Sequence, residues 1–314
     1  MKLKGRSLST LLDISQNEFF YLLELAHKVK KEKRDRIFPK RLINKNIALI
    51  FEKSSTRTRS AFVLAAHDEG ANAEFLNRND IHFGKKESVK DTARVLGRLF
   101  DGIMFRGFEQ KTLEELIQYS GVPVWNALTD DHHPTQALAD MMTCQEKLGN
   151  LKGKKLVYLG DGANNVAHSL MIASCYAGMN IVICSPESRR PNDFIINECL
   201  KINKETGGIL EFSSSPMNAV FYADCLYTDV WISMGEEENK ETKERIELLK
   251  PYQINSEIMD ATKNKNTLFL HCLPAIKGME VTEEIFESRN SAVFDQAENR
   301  MHTIKALLIA TMQD

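Results

Sequence analysis

Several features that would place a chain quickly are missing here. Neither charge is in excess: Lys plus Arg number 41 against 43 Asp plus Glu, a net charge of -2. A nucleic-acid partner is not expected of so balanced a chain, because binding phosphate backbones calls for a basic surplus. No apolar run comes near the roughly 20 residues that a bilayer-spanning helix requires; Ile47-Ala-Leu-Ile-Phe51 has instead the length of a buried strand. No membrane association is expected. The 6 cysteines among 314 residues form no CxxC pair and no short secreted-type spacing. Reduced thiols in a cytoplasm are the plain reading, with Cys144, Cys175, Cys184, Cys199 and Cys225 as small core hydrophobes and Cys272 set apart. The stretch Met1–Ser7 has two lysines but no apolar core behind it, so it is not read as a secretory signal. What remains is ordinary for a folded chain of about two domains, with 43% hydrophobic and 27% charged residues.

Strand-like runs and helical periodicities alternate along most of the sequence. A capping box at Ser15–Glu18 predicts a helix with Phe19, Leu22, Leu23, Ala26 and Val29 on one face. A strand at Ile47–Phe51, an Ala-rich helix from Thr56 to about Glu69 and a short strand near Glu74–Leu76 follow. Next come a helix at about Glu87–Phe100, the strand Gly102–Arg106, a helix capped by Thr112 with Glu115, and an extended segment Val122–Trp125. A second unit opens with Lys155–Leu159 and continues through Ile181–Cys184, Cys225–Asp229 and Thr267–His271. Between them Thr135–Leu148 reads as one helix, with Leu138, Met142 and Leu148 inward, and is the candidate hinge. A last helix runs from Glu298 to about Thr311. The fold class expected is therefore α/β with two domains, each a parallel sheet flanked by helices, joined by interdomain helices. The boundaries are residues 1–134, with the C-terminal helix 297–314 packing back on them, and 135–296.

In such sheets ligands bind beyond the carboxyl ends of the strands, so the residues that follow each strand matter most. After Phe51 comes Glu52-Lys-Ser-Ser-Thr-Arg-Thr-Arg-Ser60. Small hydroxyl residues at a strand-to-helix turn, with the positive helix end behind them, suit an oxyanion such as phosphate. Ser55, Thr56 and Thr58 add donors and Arg57 a planar charged fork; a merely capped helix is the plainer alternative, which five consecutive donors disfavour. Arg106 closes its strand either as a rim ion pair or as a ligand group. His133, preceding a proline, is biased to extended backbone that turns its ring away from the next helix, and Gln136 lies in that helix's first turn. His132 reads as a surface residue and His168 as a local packing or capping group.

In the second unit Gly160-Asp-Gly162 invites a dinucleotide reading, but Asn165 stands where a third glycine would fall. The amides of Asn164 and Asn165 suit a polar ligand better. Asp229, at a strand end, can hold an ammonium. Cys272 is a thiol at a strand terminus, either an apolar buried thiol or a site group.

Taken in order, Ser55-Thr-Arg-Thr-Arg59, Arg106, His133-Pro-Thr-Gln136, the Gly160-Asp-Gly turn with Asn164 and Asn165, Asp229-Val-Trp-Ile-Ser-Met-Gly235, His271-Cys-Leu-Pro274 and Glu298-Asn-Arg300 resemble the ornithine carbamoyltransferases over almost the whole chain. One departure is Ala163, between Gly162 and Asn164, where this turn varies among relatives; it leaves open by one residue which Asn faces the ligand, and Asn165 is preferred. The resemblance implies transfer of the carbamoyl group of carbamoyl phosphate to L-ornithine, giving L-citrulline and phosphate, in arginine synthesis or in the arginine deiminase pathway. It implies that residues 1–134 bind carbamoyl phosphate and 135–296 bind ornithine. Ser55, Thr56, Arg57 and Thr58 would hold the phosphate, joined by His82 from a neighbouring subunit. Arg106, His133 and Gln136 would bind the carbamoyl end, Cys272 and Leu273 would lie between the substrates, and Arg300 would bind from the last helix. Asn165, Asp229, Ser233 and Met234 would hold the amino-acid end of ornithine. Arg57, Arg106, His133 and Cys272 are the implied catalytic group. A homotrimer or an assembly of trimers is implied too. No cofactor is called for, and no ligand-spaced metal cluster is visible. The rival readings are the same chemistry on putrescine, aspartate or an N-acylated ornithine; an NAD-dependent oxidoreductase; and a non-catalytic chain of the same fold.

Overall fold

The computed structural model describes residues 3–77, 81, 87–232 and 239–313. It divides into two compact units, residues 1–142 with 298–314, and residues 143–297.

Unit 1 begins with α1 (Gln16–Arg34), whose Ser15 side chain accepts the Glu18 N–H while Glu18 returns a bond to the Ser15 N–H. Its buried face is Phe19, Leu22, Leu23, Ala26 and Val29, the set that the 3.6-residue period predicts. Each of the larger side chains contributes roughly 1.5–3 kcal/mol by leaving water. The chain then alternates β1 (Asn46–Phe51), α2 (Thr56–Asp68), β2 (Asn72–Asn77), α3 (Val89–Leu99), β3 (Gly102–Arg106), α4 (Gln110–Ser120) and β4 (Val124–Leu128). The strands form one parallel sheet in the order β2-β1-β3-β4. β1 and β3, the two central strands, are almost wholly buried, as a sheet covered on both faces requires. α5 (Pro134–Leu148) leads out of unit 1.

Unit 2 continues with β5 (Lys155–Leu159), α6 (Asn165–Tyr176), β6 (Asn180–Cys184), α7 (Asp193–Thr206), β7 (Ile209–Ser213), α8 (Pro216–Ala219) and β8 (Cys225–Thr228). α9 (Lys240–Leu249), α10 (Ser256–Ala261), β9 (Leu268–His271) and α11 (Glu283–Phe286) complete it, and α12 (Val293–Met312) carries the chain back into unit 1. This sheet is also parallel, in the order β7-β6-β5-β8-β9. The expected class, two parallel sheets flanked by helices, is what the structure shows.

Five local expectations change. The helix expected to start at Thr112 is capped at Glu109 without a side-chain bond, so Thr112 lies within its first turn. α12 starts at Val293, ahead of Glu298, because Ala292 and Val293 are already buried and pull the chain into helix early. β7 was not anticipated: it is an edge strand with half-exposed, mixed side chains after Gly207 and Gly208, so it has no apolar run to announce it. Leu148 ends α5 only half-buried, and His132 is also half-buried, with its N–H bonded to Thr129 Oγ1 at 3.2 Å.

Glycines allow close approaches in the packing of unit 1. A Cβ on Gly97 would sit 1.8 Å from the Ser120 carbonyl oxygen, so α3 approaches α4 at backbone distance there. A Cβ on Gly102 would meet the Trp125 ring at 2.3 Å. Glycine inside a helix costs about 1 kcal/mol relative to alanine, yet at position 97 the clash outweighs that gain. Gly97→Ala is therefore expected to lower the unfolding free energy by roughly 1–3 kcal/mol, read as an earlier urea midpoint; an unchanged or later midpoint would show that the two helices can separate freely.

Candidate active site

In both parallel sheets the order in which strands are added reverses near the centre. In unit 1 the order runs outward from β1 on one side and from β3 on the other; in unit 2 the same switch falls between β5 and β8. Loops leaving adjacent strands at such a point turn to opposite faces and open a crevice at the carboxyl edge. The candidate residues cluster at these two places.

In unit 1, Ser55 is the N-cap of α2, in extended backbone, with its Oγ accepting the Thr58 N–H at 3.1 Å. The positive end of the helix dipole lies at residues 56–58. Arg106 closes β3 opposite the end of β1, paired in register with Phe51, and is only 4% exposed. His133 immediately precedes α5 and is equally buried. From α12, Arg300 donates to Gln136 Oε1 at 2.6 Å and to Thr58 Oγ1 at 3.2 Å. Gln136 in turn donates to Asp140 at 2.8 Å, which fixes its amide. Burial holds the His133 imidazole well below its ordinary 6.5, and the nearby guanidiniums of Arg300, Arg106 and Arg57 push it further down. His133 is thus a neutral ring amid three cations. The neighbouring basic residues turn to other tasks: Arg59 stacks 3.7 Å from the Phe75 ring centroid, and Lys53 lies 2.6 Å from Asp130.

Unit 2 places Asp229 just after β8 and Cys272 just after β9. The Cys272 thiol donates to Asp229 Oδ1 at 2.9 Å, across 43 residues of sequence. Asn164 caps α6 through its Oδ1, which accepts the Ala167 N–H at 2.7 Å, and its Nδ2 donates to Asp229 Oδ2 at 3.2 Å and to the Tyr158 hydroxyl at 2.8 Å. Asn165 opens α6 beside it, half-buried. Burial pushes the Asp229 carboxyl up, against the opposing pull of His271, the Cys272 thiol and the Val230 N–H. A cation beside it would reverse that cost. Burial, then the Asp229 and Asp161 charges, also push the Tyr158 phenol well above 10, so it stays neutral.

The turn after β9 is braced from below. Leu273 takes the left-handed conformation at φ 60 and precedes a cis bond to Pro274. Its N–H donates to His271 Nδ1 at 2.8 Å, which leaves the ring proton on Nε2 facing Glu280 at 3.2 Å. Donor atoms of Asp229, His271 and Cys272 lie within 4.8 Å of one another. No spacing in the sequence announces this trio, and both imidazole nitrogens are already bonded within the protein.

His82, Ser233 and Met234 lie outside the described residues. Of the others, Ser55, Thr58, Arg57, Arg106, His133, Gln136 and Arg300 come together in unit 1, and Asp229 and Cys272 in unit 2. His168 packs locally, as expected, accepting the Asn192 N–H at 3.3 Å. Sequence reasoning passed over Tyr158 and Glu280. Tyr158 is a strand residue that a buried run hides, and Glu280 carries no motif of its own. Asn164 could have been found as the cap, since Asn directly before a helix is a start signal.

Family comparison agrees with this geometry. The family described as "Aspartate/ornithine carbamoyltransferase, carbamoyl-P binding domain" matches residues 6–146, and "Aspartate/ornithine carbamoyltransferase, Asp/Orn binding domain" matches residues 152–311. The chain belongs to the aspartate/ornithine carbamoyltransferase family. Within that family its similarity is to ornithine carbamoyltransferases: it is 55% identical to the one from Thermotoga petrophila over 99% of both chains. It is 53% identical to a catabolic ornithine carbamoyltransferase from Bacillus cereus, covering 99% of this chain and 97% of the other. The solved structure of the ornithine carbamoyltransferase from Pyrococcus furiosus superposes with a TM-score of 0.94 at 44% identity, covering 99% and 98% of the two chains.

The state of His133 has a consequence for stability. Its folded pKa is depressed below the unfolded 6.5, so between the two values the unfolded chain binds the extra proton and stability falls as pH drops below about 6.5. His133→Gln should remove up to about 1.4 kcal/mol per pH unit of that acid slope, measured as the difference between wild-type and variant urea curves at pH 5, 6 and 7. Parallel curves would mean that His133 takes up its proton equally in the folded and unfolded states.

Proposed function

We propose that this enzyme transfers the carbamoyl group of carbamoyl phosphate to the side-chain amine of L-ornithine, giving L-citrulline and phosphate. The observation that carries the reading is the convergence of the α2 start with Arg57, Arg106, Arg300 and the neutral His133 at the switch point of the unit 1 sheet. Arg106 and Arg300 are buried and Arg57 is half-buried beside them; these like charges repel each other, and a phosphate dianion among them would relieve that repulsion. The relatives' names support the same reaction.

Unit 1 binds carbamoyl phosphate in this reading, with the phosphate on Ser55, Thr56, Arg57 and Thr58 and the carbamoyl oxygen toward Arg106 and His133. Gln136 and Arg300 complete that pocket, and His82 reaches it from a second subunit. Unit 2 binds ornithine. Asp229 holds its α-ammonium, and Asn165, Ser233 and Met234 hold the rest of its amino-acid end. Cys272 and Leu273 keep the place beside the reacting groups that the resemblance gives them.

The neutral δ-amine attacks the carbamoyl carbon, the carbonyl oxygen takes up negative charge, and the tetrahedral species breaks its C–O bond to expel phosphate, which takes the proton that the amine gives up. Charge develops on the carbonyl oxygen and on the departing phosphate, so the reaction needs preorganised donors at both. Arg57, Arg106 and His133 serve the first. As a neutral ring, His133 donates a hydrogen bond without adding a fourth cation. The helix start serves the second. Loss of one such donor typically costs about 10²–10³ in rate, and holding both substrates in one geometry supplies the remainder. The Cys272 thiol, bonded to Asp229, orients the amine; no covalent step is required, because the donor is already activated.

Arginine metabolism is the proposed setting, in synthesis or in the deiminase direction, since the chemistry is the same in both. A cytoplasmic homotrimer, or an assembly of trimers, is proposed with it. Among the described residues no helix is long and apolar enough to cross a membrane.

Two substitutions test the assignment. Arg57→Ala should lower kcat by about 10²–10³ with the thermal midpoint nearly unchanged; wild-type turnover would remove Arg57 from the site. Asp229→Asn should raise KM for ornithine while calorimetric affinity for carbamoyl phosphate survives, and the reverse pattern would exchange the roles of the two units. Citrulline formation across a panel of ornithine, putrescine, aspartate and N-acetylornithine separates the proposed acceptor from its rivals.

A further inference from the structure

Asp68 is an unexpected residue at its position. It ends α2 at the negative pole of the helix dipole, where an acidic side chain is disfavoured. It is also 7% exposed, which adds a desolvation cost. Local helix energetics therefore give no reason for it, and the reason is tertiary. Its Oδ2 accepts the Lys305 ammonium of α12 at 2.5 Å and the Lys33 ammonium of α1 at 2.6 Å. Lys305 is itself 2% exposed, an ammonium that the interior tolerates only with a partner of opposite charge.

The same two helices meet at a second place. Arg300 of α12 bonds Thr58, in the first turn of α2, and Lys305 bonds Asp68, in the last. Arg300 and Lys305 are about 7.5 Å apart along the α12 axis, and neither can turn without turning the other. α1 closes the frame: Lys30 donates to Asn299 Oδ1 at 2.8 Å, next to Arg300, and Lys33, almost one turn later, reaches Asp68. One contact would fix the distance between α2 and α12 but leave α12 able to rotate about its own axis. Two contacts at opposite ends of α2 remove that freedom.

We propose that Asp68 and Lys305 are positioning residues: the buried pair sets the rotation of α12 on α2, so that Arg300 meets Thr58 and Gln136 in the geometry that receives the phosphate-bearing donor. The inference rests on the assignment of the α2 start and Arg300 to carbamoyl phosphate. Neither Asp68 nor Lys305 touches the substrate in this account.

The test uses Lys305→Met, which keeps the stem and leaves Asp68 paired with Lys33, and Asp68→Asn, which keeps a hydrogen-bond acceptor for Lys305. Steady-state kinetics with each substrate varied, at a temperature where circular dichroism shows both variants folded, should give a KM for carbamoyl phosphate raised on the order of tenfold. KM for ornithine should stay within about twofold. The double variant should be no worse than the more affected single one, because residues acting as one unit are non-additive. Folded variants with wild-type KM for carbamoyl phosphate, or a double variant whose losses multiply, would overturn the proposal and leave the pair a stability element only. Should Lys305→Met fail to fold, Asp68→Asn alone carries the same comparison. If wild-type enzyme shows no affinity for carbamoyl phosphate, the functional reading itself fails, and that outcome is distinct from any variant's.

Discussion

Guanidinium groups do not gather in a buried space without a reason. In unit 1 burial holds the His133 imidazole neutral, Arg300, Arg106 and Arg57 push it further the same way, and the start of α2 adds the positive end of a helix dipole to the same region. β1 and β3 are central because their carboxyl ends deliver the helix start and Arg106 to one crevice. α12 returns from the other unit because it carries Arg300. Polar contacts tie α12 to α2 at both ends of α2; in the proposed reaction they would keep the donors aimed at the anion as charge develops.

Unit 2 solves a complementary problem with the opposite sign. Its switch point presents the buried carboxylate of Asp229, supported by a thiol, an amide and a backbone N–H. Burial disfavours the charged form, and the surrounding donors partly restore it. A site poised in this way favours a ligand that brings its own positive charge. The His271–Glu280 contact beneath it matters because it holds the left-handed Leu273, and through it the Cys272 turn, on side chains that are themselves wholly buried.

Much of the fold was legible because its signals are local. The capping box at Ser15, the apolar face of α1 and the buried runs of β1, β3 and β5 follow from periodicity over a few residues. Where the signal was weak the reading slipped. β7 is an edge strand without an apolar run. α12 starts early because buried neighbours extend it, and Glu109 caps α4 without any side-chain bond. Within the site, the residues legible in the sequence were those standing directly after strands or at helix starts: Ser55 to Thr58, Arg106, His133, Gln136, Asp229 and Cys272. Tyr158 and Glu280 were not legible, since each acts through a contact that sequence spacing does not encode.

By itself the sequence determined that strands and helices alternate, that the strands are buried, and which polar side chains stand at their carboxyl ends, because each of these depends on a window of a few residues. It also held the motifs through which the family resemblance could be stated. Only the tertiary structure decided the order of strands in each sheet, and so which two loops face each other across a crevice. It decided that a guanidinium from position 300 meets a hydroxyl at 58, and that a thiol at 272 meets a carboxylate at 229. Those pairings arise from the closing of long loops around two hydrophobic cores, and chain position alone carries no trace of them.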